Sequence, residues 1–260
     1  MTMPLFRPHD DPGANFLELT KRVGLSPVHQ GWSTSLDVPH ATTCVAMRFG
    51  DGVLIAGDRR ATAGNWISHR AMEKVVQADR FSGVAISGTA GPAMEMIKLF
   101  ALQLEHYEKM EGRPLSLEGK ANQLSSMVRG NLPAAMQGLV VIPLFAGFEP
   151  RDNEGRLWDF DATGGRYEER EYVAIGSGGM HAGTVIKVGW RRNLTADGAV
   201  DLACRALWEA ADADSATGGP DALRGVYPIV ATITAEGWKR VSDDALARVF
   251  ETIVEEVRNR

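Results

Sequence analysis

The stretch from His40 to Arg60 limits what this chain can fold into more than any other. Thr42, Cys44, Ala46 and Arg48 alternate with Thr43, Val45, Met47 and Phe49, a turn falls at Gly50-Asp51-Gly52, and Val53, Leu54, Ile55 and Ala56 form an apolar return. The pattern predicts two short strands joined tightly, a hairpin that opens a sheet. The hairpin begins on a pair of hydroxyls and ends on Asp58-Arg59-Arg60. A threonine at the first position of a strand becomes a nucleophile carrying its own base if the chain is cut just before it. The α-amino group so released sits two bonds from the carbon that bears the hydroxyl.

Residues 1–41 carry five prolines, three glycines and no sustained periodicity beyond a short helical run from Asn15 to Val23. Such a segment buries too little apolar surface to offset its ordering entropy, so a partly disordered leader is expected. The abrupt start of strand pattern at Thr42 favours reading it as a propeptide.

The remainder has ordinary globular composition. With 260 residues, 44% hydrophobic and 23% charged, the chain is long enough for one sizeable domain after the leader. A net charge of -5 and no cluster of Lys and Arg argue against nucleic-acid binding, which rests on neutralising phosphates. Two cysteines, Cys44 and Cys204, cannot form a disulfide framework and read as small buried residues in a reducing compartment. The N-terminus lacks the basic start and apolar run of a secretory signal. The longest apolar stretch, Leu139 to Phe148, is interrupted by Pro and Gly and is about half a membrane span. A cytoplasmic protein that engages neither membrane nor nucleic acid is the expectation.

Beyond the hairpin, Ala61 to Asn65 reads as turn chemistry, followed by strands from Trp66 to Ser68, Lys74 to Gln77 and Gly83 to Thr89. A helix follows Gly91-Pro92, with Met94, Ile97, Ala101 and Leu104 beside Met96, Leu99, Phe100 and Leu102 in a wide apolar stripe. A second helix, capped by Ser116, is expected to continue to about Met136. Leu139 to Phe148 returns to strand, and Arg156 to Asp161 reads as paired with Tyr172 to Ile175 around Gly164-Gly165. Helices from His181 to Trp190 and Asp197 to Ala211, a strand from Pro228 to Ala235 and a helix from Asp243 to Arg258 complete the chain. Strand-rich blocks bracketing helices favour an α+β layered domain over alternating βαβ units.

Familiar catalytic motifs are missing: no Gly-x-Ser-x-Gly, His-Glu-x-x-His, Cys-x-x-Cys, phosphate loop or dinucleotide-binding fingerprint. The six histidines have no ligand spacing, so neither a metal nor another cofactor is expected, and His69, His106 and His181 read as surface residues.

Six ordered pieces carry a resemblance. His40-Ala41-Thr42-Thr43-Cys44-Val45-Ala46, Ala56-Gly57-Asp58-Arg59-Arg60-Ala61-Thr62, Glu73-Lys74-Val75, Ser87-Gly88-Thr89-Ala90, Ile175-Gly176-Ser177-Gly178 and Asp214-Ser215-Ala216-Thr217-Gly218-Gly219 resemble a proteasome β subunit of the actinobacterial type. The match runs from Thr42 to the C-terminus. It implies the N-terminal-nucleophile hydrolase fold, a four-layered αββα sandwich, with residues 1–41 as propeptide and 42–260 as peptidase domain. The implied activity is a threonine-type endopeptidase, autoprocessed between Ala41 and Thr42.

By that resemblance Thr42 is the nucleophile, and its freed amine, with an ordinary pKa of about 8, serves as base. The methyl group of threonine stiffens the torsion that aims the hydroxyl. Lys74 matches the family's lysine, whose charge favours alkoxide character on the hydroxyl and disfavours more positive charge on the amine. Asp58 matches the carboxylate that holds that lysine. Gly88 is similar to the residue whose backbone N–H receives the oxyanion. Ser177, Asp214 and Thr217 resemble the groups that orient the amine and a nearby water. Ala61, Thr62, Met72, Val76, Ile86, Ala90 and Met94 would line the pocket for the side chain before the cut bond, an apolar lining suited to large apolar residues.

The resemblance further implies seven-membered β rings, two of them stacked between α-subunit rings as α7β7β7α7, and a separate ATPase ring that feeds unfolded protein. Two positions depart from the pattern. Ala41 stands where the family usually has Gly, and a methyl group there can slow self-cleavage. Gly179 stands where many relatives have Ser. A precursor blocked at Ala41, or an architectural ring subunit without peptidase activity, is the alternative.

Overall fold

The computed structural model describes residues 42–259, and the leader, including the helical run read from Asn15 to Val23, lies outside the described residues. The described part begins with the expected hairpin. Strand β1 (Thr43–Phe49) pairs with β2 (Gly52–Gly57), Cys44 opposite Gly57 and Phe49 opposite Gly52, leaving Gly50 and Asp51 as the turn. Gly52 is needed here, because a Cβ would lie 2.2 Å from the Ile233 carbonyl oxygen on the neighbouring strand.

Both faces of this hairpin are buried, although its sequence alternates. The reason is its place in the stack. Val45, Met47 and Phe49 pack with helices α4 (Gly179–Gly189), α5 (Ala196–Ala213) and α6 (Asp243–Arg258). Cys44 and Ala46 face a second sheet. A central strand sandwiched this way has no wet side, so the polar half of an amphipathic strand gives way to small apolar residues.

The first sheet has the order β10 (Tyr172–Gly176), β1, β2, β11 (Ile229–Thr234), β12 (Gly237–Arg240). The second is a meander of β5 (Val75–Asp79), β6 (Ser82–Gly88), β7 (Val141–Glu149), β8 (Glu154–Phe160) and β9 (Arg166–Glu169). Val53, Ile55, Ala85, Leu144, Phe148 and Leu157 fill the space between the sheets. On the far side of the second sheet, α1 (Ala90–Glu111) and α2 (Leu117–Gly130) cover Val84, Phe145 and Trp158. Helices, sheet, sheet, helices is the four-layered α+β sandwich. A small hairpin of β3 (Ala61–Ala63) and β4 (Trp66–His69) stands outside it.

Four expectations change. Ala61 to Ala63, read as turn chemistry, is strand β3 paired with β4, and only Gly64 and Asn65 make the turn. Tyr172 to Ile175 does not pair with Arg156 to Asp161: β8 pairs with β9, whereas β10 crosses to the other sheet and pairs with β1. Periodicity identifies strands but carries no information about which sheet receives them. The second helix stops at Gly130, and after Asn131 only a short turn of helix α3 (Leu132–Ala135), with Pro133 near its start, carries the chain onward. Pro cannot donate the amide that a continuous helix would need. In α1 the buried face is Ala93, Met96, Ile97, Phe100 and Leu104, narrower than the apolar stripe, and Leu99 and Leu102 remain exposed. Ser116 caps α2 by accepting from the Gly119 amide at 3.1 Å. No helix among the described residues is long and apolar enough to cross a membrane.

Candidate active site

Thr42 directly precedes β1 and is 4% exposed. Its carbonyl oxygen accepts from the Ser177 amide at 3.0 Å, which ties the start of β1 to the loop after β10. The approach depends on Gly176, whose φ is +94° and whose Cβ, if present, would lie 1.7 Å from the Thr42 oxygen.

Asp58 follows β2, and the hairpin register brings it beside Thr43. The Asp58 amide donates to the Thr43 carbonyl at 3.1 Å, and the Thr43 amide donates to Asp58 Oδ1 at 2.9 Å. Lys74, immediately before β5, donates from Nζ to the same Oδ1 at 2.7 Å. Asp58 Oδ2 accepts from the amides of Arg60 and Gly218, each at 2.8 Å. Four donors on one carboxylate offset the cost of burying it, and the lysine supplies the opposite charge. Both side chains of the pair are almost wholly inaccessible, at 0% and 1%.

On the other side of the threonine, Asp214 caps the end of α5. Its Oδ2 accepts from Ser177 Oγ and Thr217 Oγ1, each at 2.5 Å, and its Oδ1 accepts from the Ala216 amide at 3.1 Å. Burial alone would raise the Asp214 pKa. The hydroxyls of Ser177 and Thr217, with the Ala216 amide, outweigh that and hold the carboxyl below its ordinary value.

Thr42, Lys74 and Gly88 share a cavity of about 40 Å³ with Ala61, Thr62, Met72, Ile86 and Ala90. Gly88 ends β6 with φ at +106°, and a Cβ there would strike the Val140 carbonyl oxygen at 2.2 Å. Only glycine reaches this conformation without strain. The structure therefore gathers five of the seven expected pocket residues around Thr42. Val76 and Met94 pack against the same cluster as Ile86 but line a separate cavity of about 710 Å³ along α1. Gly179 opens α4, where an added Cβ would come within 3.3 Å of the Ala174 carbonyl oxygen. Among the described residues no three His, Cys, Asp or Glu side chains converge as a metal site.

Several contributors were not singled out in the sequence. The Thr43 and Gly218 amides donate to Asp58, the Gly178 amide donates to Thr43 Oγ1, and Arg60 donates from Nη1 to the Ser215 carbonyl at 2.9 Å. The doublet Thr42-Thr43 and the Asp58-Arg59-Arg60 run were visible signals, but only the strand register says what they touch.

A sandwich of this layering with a threonine at the mouth of its first strand has the N-terminal-nucleophile hydrolase fold. Residues 38–223 match the family model for proteasome subunits. The chain is 56% identical over 262 aligned residues to the proteasome subunit beta of Acidimicrobium ferrooxidans, covering 100% of this chain and 96% of that relative. It is 52% identical over 221 residues to the proteasome subunit beta of Streptomyces griseus subsp. griseus, covering 85% and 79%. The chain belongs to the proteasome subunit family, on the catalytic β side of it, with the threonine-type peptidase activity that this membership carries.

Proposed function

We propose that the chain is the catalytic β subunit of a 20S core particle, and that cleavage between Ala41 and Thr42 exposes Thr42 as its nucleophile. The observation that carries this reading is the double use of Asp58 Oδ1, which accepts from both the Thr43 amide and Lys74 Nζ. One oxygen thereby registers the lysine cation against the backbone of the residue bonded to Thr42.

In the reaction, the Thr42 hydroxyl attacks the scissile carbonyl and its proton passes to the freed α-amine, which an amide in the uncut chain cannot accept. Lys74 stabilises the developing negative charge on the threonine oxygen. The carbonyl oxygen takes the charge of the tetrahedral intermediate, and the Gly88 N–H is the donor assigned to it. Collapse breaks the C–N bond, the amine product leaves with the proton, and an ester on Thr42 remains. Water, activated by the same amine, hydrolyses that ester and restores the hydroxyl. Ser177, Asp214 and Thr217 orient the amine. The apolar residues around Thr42 select large apolar side chains before the cut bond.

The chain assembles with α subunits and with further β subunits as α7β7β7α7, receives unfolded protein through an ATPase ring, and works in the cytoplasm. An architectural or unprocessed subunit is the second reading, favoured by Ala41 in place of the usual Gly. Mass spectrometry of the assembled particle separates the two: loss of residues 1–41 with turnover of a fluorogenic peptide supports the peptidase. Full-length mass, or turnover that survives Thr42→Ala, defeats it.

A further inference from the structure

Resting on the reading of Thr42 as nucleophile, we infer that Thr43 is a positioning residue that locks both carboxylates of the site to the nucleophile, its amide holding Asp58 and its hydroxyl holding Asp214 through Thr217. A threonine hydroxyl carries one hydrogen. That of Thr217 is given to Asp214 Oδ2 at 2.5 Å. The contact between Thr43 Oγ1 and Thr217 Oγ1, at 2.6 Å, must therefore have Thr43 as its donor. The lone pairs left on Thr43 Oγ1 are used as well, by the Gly178 amide at 3.0 Å. The chain of bonds runs one way, from the Gly178 N–H through Thr43 and Thr217 to Asp214, where Ser177 Oγ donates from the other side.

This arrangement is built. Thr43 and Thr217 are both 0% exposed. A Cβ at Gly178 would lie 2.4 Å from Thr43 Oγ1 and 2.7 Å from Thr217 Oγ1, so glycine is what allows the backbone to come this close. The peptide joining Thr42 to Thr43 is held at both ends, its oxygen by the Ser177 amide and its nitrogen by Asp58. Both carboxylates are thus linked to a single residue, Asp58 directly and Asp214 through Thr217, and that residue is covalently attached to the nucleophile. A hydroxyl buried with one donor and one acceptor partner has a unique orientation, and through it so does Thr217.

The test uses the assembled, processed particle. Thr43→Val keeps the β-branched shape of the strand and removes the hydroxyl. It is expected to lower kcat on a fluorogenic peptide roughly ten- to hundredfold, the scale of a small misplacement of reacting groups. KM should stay within about twofold, because the substrate pocket is untouched. Thr43→Ser, which restores the oxygen, should recover most of kcat. Thr217→Val breaks the same link from its other side with the strand intact, and the double variant should lose no more than the worse single variant. Full kcat in Thr43→Val overturns the inference, as does a Ser variant no better than Val or additive losses in the pair. If Thr43→Val does not assemble, undiminished kcat in Thr217→Val overturns it equally. Thr42→Ala in the same particle tells the two readings apart: turnover that survives there removes the nucleophile reading, whereas a silent Thr42→Ala beside a fully active Thr43→Val removes only the role of Thr43.

Discussion

Lys74 Nζ lies 2.7 Å from Asp58 Oδ1 in a place neither side chain shares with water. The pair is an obligate one. Removing either partner leaves a buried charge uncompensated, which costs about 3–5 kcal/mol. Lys74→Ala is therefore expected to lower the thermal midpoint of the particle as well as its turnover, the latter by at least about a hundredfold through loss of the charge beside Thr42. The double variant Lys74→Met with Asp58→Asn removes both charges, but the amide NH2 then faces buried backbone N–H donors that the carboxylate had accepted from, so it should regain only part of the stability and none of the activity. Calorimetry and peptide assays on the two variants check both halves.

Gly176 is the point where β10 lets the Thr42 carbonyl approach. Gly176→Ala combines an unfavourable φ of +94° with a Cβ 1.7 Å from the Thr42 oxygen, so the start of β1 must move. Turnover should fall by at least about tenfold while the core between the sheets stays packed. A covalent trap for amino-terminal hydroxyls, such as an epoxyketone, should label Thr42 correspondingly slowly. Labelling at the native rate would contradict this.

Asp214 makes stability depend on pH at the acid end. Its folded pKa lies below the ordinary value, despite burial that pushes it up, because the hydroxyls of Ser177 and Thr217 favour the charged form. A depressed pKa means that the contribution is fully present above the unfolded value of about 3.9 and is lost as pH falls through the folded one. The difference in thermal midpoint between the native chain and Asp214→Asn should be constant from neutral pH to about pH 5 and shrink steadily below about pH 4. A difference that does not change with pH would show that the carboxyl is not held by these bonds.

Burial pushes the thiols of Cys44 and Cys204 up to about 12, and at Cys44 the nearby Lys74 charge lowers the value only in part. Since the thiolate is the reactive form, neither cysteine should be alkylated by iodoacetamide in the native particle at pH 8. Peptide turnover should survive the treatment. Mass spectrometry should find both thiols modified only after denaturation.

A mutation between the sheets tests the layering directly. Leu144 is fully buried on β7, facing β1 and β2. Leu144→Ala should cost about 2–5 kcal/mol, the range for a cavity in a core that relaxes incompletely. A loss well under that range, read from denaturant midpoints, would mean that the two sheets close over the gap.

The sequence by itself determined the local chemistry. Alternation from Thr42 to Phe49 with Gly50-Asp51 as turn is a hairpin whatever surrounds it. Ser116 caps a helix because its hydroxyl reaches its own backbone, and the apolar positions of the last helix fall on one face. The ordered run of Thr42, Asp58, Lys74 and Gly88 was legible only through its resemblance to proteasome β subunits, because strand pattern by itself marks each as no more than a residue at a strand's edge. What only the tertiary structure decided is pairing between distant segments. Tyr172–Gly176 joins β1 rather than β8, and that choice alone sets Ser177 against the Thr42 carbonyl. The same holds for Thr43, unremarkable within its strand until Asp58, Thr217 and Gly178 arrive from 15, 174 and 135 residues away. The physical reason is that hydrogen-bonding capacity is local to a residue, whereas its satisfaction depends on which remote backbone the packing of the four layers delivers to it.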